Sequence, residues 1–204
     1  MDNHKTLMLN FLKVLTCYGM ALLLLVSCGN RNDETPKPQA YLRIELPQHD
    51  YTLCDTSALP FTFERSTLSQ VEWKKSKPTE RWLTITYPKY KGYVFLTYKT
   101  IHGAKNLRAQ VDTLYQFVEG HFSFSSGIDE NRFVDRPHKL YGTTYHLKGQ
   151  NVASTYQFWL TDSVNHFLSG ALYIDCTPNN DSLSPVLEYL QTDIDHLIES
   201  VRWR

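Results

Sequence analysis

The stretch from Trp82 to Lys99, WLTITYPKYKGYVFLTYK, decides the fold class. Trp82 to Tyr87 and Tyr93 to Lys99 are two runs rich in aromatic and β-branched residues, the composition that suits a pleated surface. Pro88-Lys89-Tyr90-Lys91-Gly92 lies between them and reads as a hairpin loop, although five residues leave the register open. Outward on the N-terminal side, Leu59 to Arg65 and Tyr41 to Leu46 alternate apolar and polar residues and read as strands. On the C-terminal side, Leu140 to Leu147, Thr155 to Leu160 and His166 to Ile174 read as three more. Gly149-Gln150 and Asp162-Ser163 mark the turns between those three.

Two helices interrupt the strands. Asn106 is suited to cap the first, Leu107, Val111, Leu114 and Val118 form one apolar stripe, and Gly120 is suited to end it. For the second, Ser184 caps and Pro185 occupies the first helical position, where a missing N–H costs nothing. Its stripe is Leu187, Leu190, Ile194, Leu197 and Val201. Asp193 and His196 are three apart on it and share a face, as a solvated pair. Residues 121–138 show no clear period. The order of strands, helix, strands, helix specifies an α+β domain: a mainly antiparallel sheet with two amphipathic helices packed on its apolar face. The topology bears a weak likeness to the PsbP/Mog1 type of fold, which says nothing about function.

The whole chain has 204 residues, 21 basic and 21 acidic, with 42% apolar and 13% aromatic content. That is a globular composition. A net charge of zero argues against nucleic acid as a partner, since such binding relies on a basic footprint. The neutral total hides an uneven distribution: residues 61–110 carry a net of +7 and residues 161–204 a net of −5. This reads first as complementary surfaces within one domain, and more sharply as a basic region facing a partner or phospholipid. Most aromatics, among them Tyr93, Phe95, Phe158, Phe167 and Tyr173, are assigned to the sheet core. The alternative is a row of exposed rings that stack on sugars, with Trp73, Trp82, Trp159 and Trp203 as the residues to examine.

The N-terminus separates from this domain. Lys5 and Lys13 give a positive n-region ahead of an uncharged apolar run from Val14 to Val26, too short to span a bilayer and typical of a signal peptide. Leu25-Val26-Ser27-Cys28 resembles a bacterial lipobox, which implies cleavage before Cys28 and lipidation of its thiol. Residues 1–27 are then the signal peptide. Residues 28–39 are the lipidated cysteine and a polar tether with Pro36 and Pro38, and residues 40–204 are the single domain. Of the other cysteines, Cys17 leaves with the signal. Cys54 and Cys176 form either one disulfide, in an oxidising compartment, or two buried free thiols.

No nucleophile elbow, zinc-protease motif, phosphate loop or dinucleotide fingerprint is present. The eight histidines show no spacing that selects a metal. Catalysis, metal and cofactor are therefore not expected, although a triad assembled from distant residues would escape a sequence reading.

Several blocks in one order resemble the gliding-motility lipoprotein family GldD of Bacteroidetes. They are Pro36-Lys37-Pro38 to Ile44 just after the lipobox, Asn151 to Ser163, His166 to Tyr173, Pro178 to Val186 and Asp193 to Trp203. The match is strongest from residue 151 onward, and Ser169 departs from it where a basic residue is expected. The resemblance implies a non-enzymatic, lipid-anchored envelope protein that supports gliding motility or type IX secretion, in the outer membrane. Its partners would be the bilayer, through acylated Cys28, and other envelope proteins of those systems. Candidate interaction residues in the matched blocks are Trp159, Asp162, Ser163, Asn179 and Asp181, the polar ones equally suited to making turns. A sugar- or peptidoglycan-binding lipoprotein is the alternative function.

Overall fold

Side chains alternate along each strand, so a sheet of these sequences has two faces that must be buried separately. In the computed structural model the chain divides into two units, Met1–Leu42 and Arg43–Arg204. The described residues are 8, 11, 13–16, 45–55, 57–74, 77, 79–177 and 180–204. In the first unit residues 13–16 are helical, with Thr16 Oγ1 donating to the Lys13 carbonyl at 2.9 Å. The lipobox, Cys28, the tether and Tyr41 to Ile44 lie outside the described residues. No helix among the described residues is long and apolar enough to cross a membrane.

The second unit is built on seven antiparallel strands: β3 (Gln70–Lys74), β4 (Glu80–Tyr87), β5 (Gly92–Thr100), β6 (Gly127–Asp135), β7 (Leu140–Lys148), β8 (Tyr156–Thr161) and β9 (His166–Ile174). Their order across the sheet is β3-β4-β5-β9-β8-β7-β6. A small second sheet has the order β1-β2-β10, from β1 (Tyr51–Cys54), β2 (Phe61–Ser66) and β10 (Arg202–Trp203). The helices are α1 (Gly103–Glu119) and α2 (Asn180–Ser200).

The expected hairpin forms. Tyr87 pairs with Gly92, and Ile85 with Val94. The loop is a 3₁₀ turn over Pro88–Tyr90, closed by Lys91 in the left-handed region at φ 49°. The α+β class holds, but the two helices lie on opposite faces of the sheet, not on one. Leu83, Ile85, Val94, Leu96, Phe158, Leu160, Leu168 and Leu172 share a core with Leu187, Leu190, Ile194 and Leu197 of α2 and with Phe61 and Phe63 of β2. The opposite parity, Tyr145, Leu147 and Trp159, packs against Leu114 and Val118 of α1. Large aromatic residues occupy both parities of β5 and β8, Tyr93, Phe95 and Trp159 on the outer one, so alternation alone does not assign the faces.

Other boundaries also differ. Glu45 and Leu46 are irregular, and the first strand is β1 instead. Helix α1 begins at Gly103, and Asn106 lies inside it, its Oδ1 accepting from the His102 N–H at 3.2 Å. Helix α2 begins at Asn180, so Pro185 is internal and Ser184 is not the cap; its hydroxyl donates to Glu188 at 2.7 Å. The extra turn is held from outside. Asn180 donates from its backbone to the Gln150 carbonyl and from Nδ2 to Gly149 and Val152.

β9 crosses the core at Gly170, where a side chain has no room. A Cβ there would overlap the Phe158 ring and lie 2.8 Å from Leu96 Cδ2. Gly170→Ala is therefore expected to cost about 1–3 kcal/mol through overpacking, read as a lowered midpoint in chemical denaturation.

Candidate functional site

Two places concentrate chemistry-bearing side chains. The first joins the segment before β1 to α2. The Asp193 carboxylate, with no side-chain exposure, pairs with His49 Nδ1 at 2.6 Å. The two residues are 144 positions apart. His49 stacks on Tyr189 at 4.2 Å, and Tyr51 stacks on His196 at 3.6 Å. His196 in turn pairs with Glu64 of β2 at 2.6 Å. The face shared by Asp193 and His196 in the sequence thus splits: one side chain turns into the core and the other reaches the small sheet. Tyr51, Tyr87 and Tyr189 all face the Asp193 charge. Burial first, then that charge, pushes Tyr51 and Tyr189 up to about 12, and Tyr87 higher still. These hydroxyls stay protonated; that of Tyr189 is buried without a hydrogen-bond partner, as is Asp193 Oδ2. A carboxylate holding an imidazole is the orienting half of an acid–base pair; here Tyr189 covers one face of the ring, and the pair fastens the incoming chain to α2. No group of three metal-ligating side chains occurs among the described residues.

The second place is a cleft of about 480 Å³ on the outer face of the sheet, beyond the reach of α1. Tyr93 and Phe95 of β5 and Tyr173 of β9 line it, with Glu72, Lys74, Thr84 and Asp175. Tyr93 lies directly opposite Tyr173 in the ladder. The Phe95 and Tyr173 ring centroids are 5.5 Å apart, and Lys74 Nζ sits 5.1 Å over the Phe95 ring. The sequence reading had placed these three rings in the core. Only Phe158 and Phe167 of that group are buried; Phe95 is 39% exposed.

The sequence-derived candidates do not converge on either place. Trp159 is half-buried under α1 and stacks on Phe167 at 6.2 Å. Asp162 and Ser163 form the β8–β9 turn. Asp162 Oδ1 accepts the N–H groups of Val164, Asn165 and His166 at 2.8–2.9 Å, and Ser163 is left-handed at φ 70°. Asp181 is exposed in the first turn of α2 and accepts from Gln150 Nε2. Asn179 and Cys28 lie outside the described residues. Cys54 and Cys176 are free thiols, so the bridge entertained for them is not made. Cys54 is half-buried on β1 of the small sheet, whereas Cys176 is exposed just past β9 of the large one, so the pair of buried thiols is not found either. Among the tryptophans, Trp73 is exposed on the edge strand β3. Trp82 is half-buried, and Trp203 stacks on His166 at 5.1 Å.

His49→Ala would leave the Asp193 carboxylate buried and alone, and is expected to cost about 3 kcal/mol or more. Adding Asp193→Asn removes the stranded charge, so the double variant should be more stable than His49→Ala alone in urea melts. Asp162→Ala should cost about 1 kcal/mol at neutral pH through loss of the turn bonds. Burial pushes the Asp162 carboxyl up, but the three backbone N–H bonds outweigh it and hold it below the usual range. A depressed carboxylate stabilises above its unfolded pKa and loses that contribution as pH falls through the folded one. The gap between wild type and Asp162→Ala should therefore close on acidification below about pH 4.

Comparison with known proteins gives a family. No curated protein matches the chain. Among solved structures, the solution structure of cyanobacterial PsbP (CyanoP) from Synechocystis sp. PCC 6803 is similar with a TM-score of 0.47 and 11% identity, over 80% of this chain and 98% of that one. The family profile described as gliding motility lipoprotein GldD matches residues 31–203. That span takes in all ten strands and both helices of the second unit, and the chain belongs to the gliding motility lipoprotein GldD family.

Proposed function

We propose that the protein is a non-enzymatic component of the cell envelope that supports gliding motility and type IX protein secretion in Bacteroidetes. The observation that carries this reading is the family match over residues 31–203. A gliding-motility lipoprotein is held to the envelope by its lipid. Cys28, three residues before the matched span, is the residue we assign to that role, following the lipobox-like Leu25-Val26-Ser27. A single acyl chain holds only marginally, so a bacterial anchor at Cys28 would draw on several chains. The polar segment that follows, with Pro36 and Pro38, is the sequence that would link the lipid to the domain. The outer membrane is the expected location, and other proteins of the gliding and secretion machinery are the expected partners.

Deletion of the gene in its host tests the reading. The deletion strain should spread poorly and retain type IX cargo, and a wild-type copy should restore both. A Cys28→Ala copy should incorporate no labelled fatty acid and should not restore them. Normal spreading and normal cargo release in the deletion strain would sink the proposal.

A further inference from the structure

The outer-face cleft is the feature that the envelope role leaves unexplained. A sheet face left uncovered in water should be polar, as antiparallel sheets with one solvated face are. Here it carries three aromatic rings, Tyr93, Phe95 and Tyr173, within one cleft. Its volume of about 480 Å³ is that of a small-ligand site. Its floor adds an independent observation. Thr84 is 3% exposed, lines the cleft, and its hydroxyl has no hydrogen-bond partner in the protein. A buried hydroxyl left unpaired is costly, and this one lies in the floor of the cleft, beneath the surface that solvent reaches.

We propose that this cleft binds a neutral saccharide. Pyranose rings have an apolar face of C–H bonds that packs on aromatic rings, and a rim of hydroxyls that both donate and accept. The cleft offers both complements. Tyr93, Phe95 and Tyr173 supply the ring surface, the carboxylates of Glu72 and Asp175 accept from hydroxyls, and Lys74 donates. Two carboxylates against one ammonium leave the rim net negative, which disfavours acidic sugars, phosphates and nucleic acid. An apolar peptide would fill the ring surface but leave the charged rim unmatched.

The test is calorimetric titration of the full-length protein, in a detergent without a sugar headgroup, with cellotetraose, chitotetraose and sialyllactose. At least one of the two neutral oligosaccharides should bind, and which one does distinguishes plain hexose from N-acetylhexosamine as the source. Sialyllactose should bind more weakly. Phe95→Ala and Tyr173→Ala should each weaken binding about tenfold, through loss of ring contact. Glu72→Gln should weaken it several-fold with the rings intact. All three residues line an open cleft, so unchanged thermal unfolding will show that the variants are folded. The proposal is overturned if neither neutral sugar binds, or if binding survives both ring substitutions. It is equally overturned if the cleft proves to join two copies of this chain, seen as a dimer that Phe95→Ala dissociates without any sugar bound. Neither fatty-acid labelling at Cys28 nor the deletion phenotype depends on the titration, so the envelope role and this inference fail separately.

Discussion

The inner face of the seven-stranded sheet cannot remain in water, and the rest of the domain is arranged around covering it. Leu83, Ile85, Val94, Leu96, Leu160 and Leu168 form a broad apolar surface that one helix cannot cover. Helix α2 takes part of it, with Leu187, Leu190, Ile194 and Leu197. Phe61 and Phe63 of β2 take the rest, and Phe61 meets Tyr98 at 5.6 Å. The small sheet is thus part of the lid on the core. Its position explains why the segment ahead of it must be fastened. His49 and Tyr51 arrive on that segment and meet Asp193, Tyr189 and His196 on α2. A fully buried carboxylate is tolerated there because a histidine pairs with one of its oxygens.

Much of the scaffold could be read from local pattern. β9 falls on His166–Ile174, the bounds its residues indicate, and the 82–99 hairpin closes as its loop suggests. Leu187, Leu190, Ile194 and Leu197 of the expected stripe are buried on α2, and Val201 is buried just past the helix end. What escaped has physical reasons. β6, GIDENRFVD, is an edge strand with charge on both parities, so alternation is blurred where solvent reaches it from two sides. β10 is two residues long and exists only because β2 is beside it. The start of α2 is set by Asn180 gripping the β7–β8 loop, a contact between distant segments that no cap rule contains.

The candidate sites were legible to different degrees. Asp193 and His196 were singled out as a pair from their spacing, yet each partners a residue more than a hundred positions away. The exposed rings were in view as residues but not as a surface. Tyr93, Phe95 and Tyr173 suit a buried strand face, as Val94, Leu96 and Leu172 on the opposite parity do, so composition could not say which set faced inward. That was settled by where α1 lies. It covers the outer face over β7 and β8 with Leu114 and Val118, and meets β5 at its far end, where Lys99 Nζ donates to Gln110 at 3.0 Å, leaving the Tyr93 and Phe95 end bare. The turn residues Asp162 and Ser163 are accounted for by backbone bonding, the bland half of what their sequence allowed.

The small sheet also has a consequence for how the domain comes together in time. β2 lies between β1, from the start of the folded unit, and β10, from its far end. The lid on the core is therefore complete only when both ends have met, which makes its closure the most non-local event in the domain. Until then Phe61 and Phe63 have one flank unpaired, and the apolar face beneath them is open. A chain in which β10 has not yet docked therefore keeps an adhesive face, and its aggregation competes with folding until the two ends meet.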